Sequence, residues 1–163
     1  NSPCILLTLS PGMITDELMD ETYKLLKKTQ NQYIFYIRLH PNMLRDESVI
    51  ANKFKEKGIL NFEIKNSSEL PLYSVLRNID IHITVQSSVV IEACDFFVPS
   101  IVTSKYGAGL YRKQIEDGTS YFCDDNIKME ELIERLLINK TNFKASEKNK
   151  IYYVFDEINQ LIN

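Results

Sequence analysis

Cysteine and histidine are scarce in this sequence of 163 residues, which has three of the first and two of the second. The cysteines are Cys4, Cys94 and Cys123, an odd number at wide spacing with no CxxC pair. This pattern argues against a disulfide framework, and with so few histidines it gives no support to a zinc site. A reducing cytoplasm is the compartment that suits such a chain.

Long apolar runs and basic clusters are missing as well. The apolar run at residues 4–9 is far shorter than the ~18 residues that a membrane span requires, and no basic segment precedes it as in a signal peptide. The formal net charge is −3 with scattered lysines, so the basic stripe of a nucleic-acid-binding protein is absent. Because the sequence opens almost directly in an apolar run, we expect that a leader or an upstream domain has been removed.

Strand-like apolar runs alternate with segments of helical spacing along the whole chain. The strand-like runs are 4–9, 33–39, 62–64, 79–85, 100–103 and 121–123, and the helical segments are 14–29, 46–57, 72–78, one from 87 or 88 towards Pro99, 111–116, 128–139 and 146–162. This alternation is typical of βαβ units. It predicts one doubly wound α/β domain over residues 1–163, with a mostly parallel, Rossmann-like sheet and helices on both faces.

The carboxyl ends of strands in such a sheet carry the ligand site. Here those ends are residues 10–12, 40–42, 66–68, 86–88 and 104–109, and each is small or polar. Polar loops are common, so none of them is diagnostic alone.

Ser88 and Glu92 form the most informative pair. Ser88 lies where a helix N-cap is expected, and a serine beside unpaired helix N–H groups is suited to bind an anion; the alternative is a serine that only caps its own helix. Glu92 is not a capping-box partner, because the residues three positions after Ser87 and Ser88 are apolar. It shares a helix face with Ser88, where it could accept hydrogen bonds from a diol such as ribose, or belong to a solvated stripe.

Two further features concern histidine and glycine. His40-Pro41 ends the second strand, where an imidazole could donate to a phosphate and, if charged, stabilise its departure. His82 lies inside a strand and is expected to be a core or sheet-face residue rather than a ligand. The segment 105–109 contains Gly107 and Gly109, which would let the backbone approach a ligand closely. It is not a GxGxxG motif, and no P-loop or DxD-type metal signature occurs.

Taken in order, these pieces resemble a known family. The run ELPLYSVLRNIDIHITVQSSVVIEACDFFVPSIVTS, then RKQIEDGTSYFCDD and MEELIERLL, covers about residues 69–138 and resembles the C-terminal, sugar-nucleotide-binding domain of GT-B glycosyltransferases. An HP motif followed by an SS motif is similar to bacterial sialyltransferases and to capsule or teichoic-acid-type transferases. Two positions depart from the family pattern: Phe97 replaces the usual glycine, and Thr84 replaces the first glutamate of the retaining-type pattern, eight residues before Glu92.

The resemblance implies roles for particular residues. His40-Pro41 and Ser87-Ser88 would contact the phosphates of the nucleotide, Glu92 the ribose hydroxyls, and residues 67–72 the base. The complete set expected to bind the sugar nucleotide is Ser10, Gly12, His40, Pro41, Ser67, Leu70, Ser87, Ser88, Glu92 and Gly107. His40 would also stabilise the leaving phosphate, and we expect neither a metal nor a cofactor.

The implied function is that of a glycosyltransferase domain acting in cell-surface polysaccharide, capsule or glycoconjugate synthesis in the cytoplasm. Its partners would be the nucleotide sugar and an N-terminal acceptor-binding domain that supplies the general base. The domain alone would be inactive, and the full-length protein could touch a membrane surface. Two alternatives stay open: a nucleotide-sugar epimerase-like domain, and a non-catalytic α/β interaction module.

Overall fold

The computed structural model describes residues 2–11, 16–125 and 127–139. The elements in chain order are β1 (Cys4–Leu9), α1 (Asp16–Thr29), β2 (Ile34–Leu39), a 3-10 helix (Pro41–Asp46), α2 (Glu47–Glu56), β3 (Phe62–Glu63), α3 (Lys65–Glu69), α4 (Leu72–Leu76), β4 (Ile81–Thr84), α5 (Val89–Asp95), β5 (Ser100–Val102), α6 (Lys105–Leu110), α7 (Arg112–Glu116), β6 (Ser120–Phe122) and α8 (127–139). Gly12 and the predicted helix 146–162 lie outside the described residues.

The six strands form one sheet in the order β3-β2-β1-β4-β5-β6, and every neighbouring pair is parallel. The doubly wound α/β fold predicted from the sequence is therefore confirmed. The chain moves outwards from β1 to β3 on one side, and then crosses back to β4 on the other side. This reversal creates a switch point at the carboxyl ends of β1 and β4.

The central strand β1 explains why both faces carry helices. Ile5, Leu7 and Leu9 point into an apolar cluster that contains residues of α1, α2 and α8. Leu6, between them, packs in a second cluster with residues of α4 and α5, among them Val89. A strand buried on both faces reads as a continuous apolar run, and burying each of these side chains stabilises the fold by roughly 1.5–3 kcal/mol.

Two segments expected to be loops are short helices. Residues 66–68 belong to α3, a helix too short to show an apolar period, and the backbone amides of Asn66 and Ser67 bond the Glu63 carboxylate. Residues 105–109 belong to α6, although each glycine disfavours a helix by about 1 kcal/mol. Ser104 offsets part of this cost, since its hydroxyl accepts from the Gly107 N–H at 2.9 Å and caps the helix. The predicted helix 46–57 is confirmed to within one residue at each end, since α2 runs from Glu47 to Glu56, directly after the 3-10 helix.

His82 lies in the core, as expected. Its ring is completely buried, with Nε2 2.9 Å from the Thr8 hydroxyl and Nδ1 2.9 Å from the Ser100 hydroxyl. Both ring nitrogens are thus hydrogen-bonded by neutral groups. Burial without a counter-charge lowers the pKa of His82 from 6.5 to about 3, because desolvation disfavours the imidazolium.

Phe97 occupies a backbone conformation that normally requires glycine. Its φ is +54°, and it follows α5 at the point where the N–H groups of Phe97 and Val98 bond the carbonyls of Cys94 and Ala93. This is the Schellman pattern of helix termination, whose left-handed residue is usually glycine. A side chain there costs about 1–2 kcal/mol, so the departure noted in the sequence falls on a conformationally demanding position.

Candidate functional site

The polar strand ends meet at the switch point. In the sheet register Leu9 pairs with Leu39, and Thr8 pairs with Thr84. Continuing this register by one or two residues places Ser10, His40 and Gln86 at one level, on three adjacent strands about 4.8 Å apart. The His40 N–H bonds the Leu9 carbonyl at 3.0 Å. The HP and SS motifs therefore flank the end of β1 from its two sides.

The turn between β4 and α5 is capped differently from the prediction. The Ser87 hydroxyl accepts from the Val89 N–H at 3.3 Å, while the Ser88 side chain makes no capping hydrogen bond. The Thr84 hydroxyl, at the end of β4, accepts from the Ser87 N–H at 3.0 Å and so fixes the turn to the strand. Ser87 is thus the capping residue, and Ser88, which is exposed, keeps its hydroxyl available. The interpretation of Ser88 as a residue that only caps its helix is therefore wrong.

Glu92 lies one helical turn after Ser88 and is half-buried. Its Oε2 atom is shielded from solvent and has no hydrogen-bond partner in the described part of the chain. A buried carboxylate oxygen without a partner is costly, by about 1–3 kcal/mol or more. A solvated polar stripe would not shield this atom. The geometry instead suits an acceptor whose hydrogen-bond donor comes from a ligand.

His40 is exposed at the start of the 3-10 helix, and Pro41 is the first residue of that helix. The Nδ1 atom of His40 accepts from the Asn42 N–H at 3.2 Å. In the neutral ring the proton is therefore on Nε2, which becomes the available hydrogen-bond donor. Protonation of Nδ1 would break the bond to Asn42.

The segment predicted to line a base pocket is attached to β2. Arg38 donates from Nη1 to the carbonyls of Ser67 at 2.5 Å and Leu70 at 2.9 Å. Ser67 itself is buried, and its hydroxyl donates to the Ile37 carbonyl at 2.6 Å. The Ser67 side chain is thus used by the fold and is not presented to solvent. Leu70 is 48% exposed and offers an apolar surface.

Gly107 is buried, and the structure gives it a packing role. A Cβ atom there would lie 2.2 Å from the Val85 carbonyl oxygen and 2.7 Å from Val102 Cγ1. The close approach therefore joins α6 to the turn after β4. Gly109 has nothing within 4 Å of its Cβ position. Ser10 is half-buried directly after β1.

Sequence reasoning placed Ser104 only within the polar segment 104–109 and gave no role to Tyr111. The Ser104 hydroxyl donates to the Val85 carbonyl at 2.8 Å, and the Tyr111 hydroxyl donates to the Gln86 carbonyl at 3.0 Å. Burial, with the nearby charge of Glu92 as a smaller contribution, raises the pKa of Tyr111. The sequence signal was weak: a serine after β5 and a tyrosine between two short helices.

An apolar cavity of about 220 Å³ lies away from these residues. Its lining includes Cys94, Val98, Pro99, Thr119, Tyr121 and Leu136. Several of them precede β5 and β6, so the cavity is at the amino ends of the strands, opposite the switch point. Functional sites of open α/β sheets lie at the carboxyl ends, and we assign no role to this cavity.

Membrane, metal and redox features complete the description. No helix within residues 2–11, 16–125 and 127–139 is long and apolar enough to cross a membrane. The same residues contain no group of three or more His, Cys, Asp or Glu side chains that could hold a metal ion. Cys94 and Cys123 are free thiols.

Comparisons with known proteins support the fold. No model of a known protein family matches the sequence, and no curated protein matches it either. The chain is similar to the UDP-GlcNAc 2-epimerase of Methanocaldococcus jannaschii, with a TM-score of 0.63 and 16% identity over 84% of this chain and 39% of the epimerase. It thus spans about two-fifths of that enzyme's length.

Two isolated C-terminal domains match over most of their own length. The CMP-Kdo binding domain of WaaA from Acinetobacter baumannii has a TM-score of 0.61 and 10% identity, over 89% of this chain and 85% of that domain. The C-terminal domain of LpcC, a glycosyl transferase group 1 family protein from Francisella tularensis, has a TM-score of 0.57 and 19% identity, over 83% and 78%. The chain therefore has the Rossmann-like fold of the C-terminal half of a GT-B enzyme, as the resemblance implied.

Proposed function

We propose that this chain is the sugar-nucleotide-binding domain of a glycosyltransferase that acts in cell-surface polysaccharide or glycoconjugate synthesis. The observation that carries the proposal is the shielded, unpartnered Oε2 of Glu92, one helical turn from Ser88 at the switch point. A ribose diol would supply the missing donors to that atom. The similarity to two C-terminal domains of transferase type supports the choice of enzyme class.

The phosphates of the nucleotide would lie between the two motifs. The exposed Ser88 hydroxyl and the Nε2–H of His40 are donors on opposite sides of the β1 end. Because α5 has only seven residues, its dipole is a modest contribution, and direct hydrogen bonds carry most of the recognition. The base would lie against the segment 67–72, where Leu70 presents its apolar side chain.

The reaction assigned to the full enzyme displaces a nucleotide from an activated sugar by attack of an acceptor hydroxyl. Ser87, Ser88 and His40 would stabilise the negative charge that develops on the leaving phosphate. We assign this stabilisation to these residues without a metal or another cofactor. The general base and the acceptor site would come from an N-terminal domain, so the chain alone should bind the nucleotide without turnover.

We place the enzyme in the cytoplasm, and the free thiols of Cys94 and Cys123 support this. Structural disulfides are rare in that reducing compartment. Capsule or teichoic-acid-type polymers are the products that the HP and SS motifs favour.

A nucleotide-sugar 2-epimerase is the second candidate, since an epimerase shows a TM-score of 0.63 with this chain. An epimerase would need further acid and histidine side chains around the sugar. The chain contains only two histidines, and His82 is completely buried. We therefore favour the transferase.

Thermal unfolding of the full chain with CMP, CDP, UDP and GDP tests the proposal. A nucleotide at tenfold its Kd stabilises the fold by about 1.4 kcal/mol, which raises Tm by about 3–6 °C. Ser88→Ala and Glu92→Ala should reduce this shift. Asp95→Ala is the matched control, because it removes an exposed acid from the same helix.

A flat response to all four nucleotides would overturn the proposal and favour the non-catalytic interaction module. If Asp95→Ala reduced the nucleotide-induced Tm shift as much as Glu92→Ala does, the effect would be one of general charge. The role given to Glu92 would then be wrong. To separate the two enzyme classes, a UDP sugar is incubated with the full-length enzyme. Interconversion of the free UDP sugar without an acceptor would identify the epimerase.

A further inference from the structure

The turn after β4, residues Val85–Ser88, is held from one side by the α6–α7 region. Ser104 donates to the Val85 carbonyl at 2.8 Å, and Tyr111 donates to the Gln86 carbonyl at 3.0 Å. Gly107 packs so closely that a Cβ would lie 2.2 Å from the Val85 oxygen. We call Ser104, Gly107 and Tyr111 the bracket.

The bracket leaves the turn with an uneven set of hydrogen-bonding groups. Its first two carbonyls bond the bracket, and its last two, of Ser87 and Ser88, accept from the N–H groups of Val90 and Ile91 at 3.2 and 2.9 Å. All four carbonyls of the turn are thus occupied. By contrast, the N–H and the hydroxyl of Ser88 make no hydrogen bond within the described chain.

On general grounds, a turn with its carbonyls occupied and an N–H and a hydroxyl available suits an anion better than a cation. A carbonyl oxygen pointing at the site would repel a phosphate and attract a cation, whereas free N–H and O–H groups bind phosphate oxygens. Removing one bracket bond would free a carbonyl and allow the turn to rotate. The bracket therefore fixes the direction of the first two carbonyls of the turn.

We propose that Tyr111 is a positioning residue for phosphate recognition, acting through the Gln86 carbonyl with Ser104 as its partner in the bracket. This inference rests on the proposed function and adds residues to the same site. The Tyr111 ring is fixed in a buried cluster with Val90 and Val102. Burial also raises the pKa of Tyr111, so the hydroxyl keeps its proton and stays a donor.

Tyr111→Phe removes the hydroxyl and keeps the ring in place. The affinity of the full chain is measured by calorimetry for the nucleotide that stabilises it and for the matching nucleoside, which lacks phosphate. Loss of one hydrogen bond should raise the Kd for the nucleotide about threefold to tenfold. The Kd for the nucleoside should not change. Tyr121→Phe, at a half-buried tyrosine away from the switch point, is the control and should leave both values unchanged.

Ser104→Ala provides the second variant, since it removes the other bracket bond and should show the same selective loss even if Tyr111→Phe fails to fold. Equal loss of nucleotide and nucleoside affinity would overturn the inference, because it would indicate general loosening of the domain. Unchanged nucleotide affinity in both variants would also overturn it while leaving the proposed function intact. If the wild-type chain binds no nucleotide at all, the proposed function fails and the inference fails with it.

Discussion

Acidification should destabilise this domain through the buried ring of His82. In the folded state the pKa of the buried ring is lowered to about 3, whereas in the unfolded chain it returns to about 6.5. Between pH 3 and pH 6.5, His82 is protonated in the unfolded chain but not in the folded chain. The free energy of unfolding is therefore highest above pH 6.5 and falls as the pH decreases towards 3.

The size of the effect follows from the two pKa values. Where only the unfolded state is protonated, the free energy of unfolding changes by about 1.4 kcal/mol per pH unit. Integrated from about pH 7.5 down to about pH 5, the loss is about 2 kcal/mol.

Urea denaturation of the full chain at the two pH values measures the loss. His82→Gln should have nearly the same stability at both, since an amide can still bond the Thr8 and Ser100 hydroxyls but does not titrate. His40→Gln is the control, because His40 is exposed and the loss should persist. A wild-type loss below about 0.5 kcal/mol, or a loss abolished by His40→Gln, would refute the reasoning.

Two matched pairs test the packing around the site by urea denaturation. Ser100→Ala should cost about 1–3 kcal/mol because it leaves His82 Nδ1 unpaired, whereas Ser120→Ala should be neutral or stabilising because that buried hydroxyl has no partner in the described chain. Equal effects would contradict the hydrogen-bond assignment. Gly107→Ala should cost about 1–3 kcal/mol because its Cβ would meet a backbone oxygen at 2.2 Å, whereas Gly109→Ala, in open space on the same helix, should stabilise by up to about 1 kcal/mol. A tolerated Gly107→Ala would show that α6 can move away from the turn.

The order of strands and helices could be predicted because each element has its own period. The buried strand β1 reads as a continuous apolar run, and the loops at its end and at the ends of β2 and β4 follow from the topology. His82 was expected in the core or on a face of the sheet, since it lies inside a strand between isoleucines. These features depend on the alternation of apolar and polar residues along the chain, which one sequence displays directly.

The details of the turns could not be predicted in this way. Whether Ser87 or Ser88 caps α5 depends on a few degrees of backbone rotation, and the two serines are equivalent in the sequence. The hydroxyl of Ser67 turns inwards because β2 offers it a carbonyl across a distance of thirty residues. Tyr111 reaches Gln86 over twenty-five residues of chain. Such contacts arise from tertiary packing, which local patterns do not encode.

Two buried oxygen atoms without partners show how location separates packing from function. Ser120 Oγ and Glu92 Oε2 both lack a hydrogen-bond partner in the described chain. Ser120 is 1% exposed inside the sheet, so no ligand can reach it. Leaving its hydroxyl without a hydrogen bond costs about 1–3 kcal/mol of stability, and we regard it as a defect of packing. The Glu92 Oε2 atom is equally shielded, but the residue as a whole is half-buried beside an exposed serine at the switch point, so a rotation of its carboxylate would present the atom to a ligand. A carboxylate is also more costly to leave unpaired than a hydroxyl. The unpartnered atom at the opening is therefore the one that indicates binding.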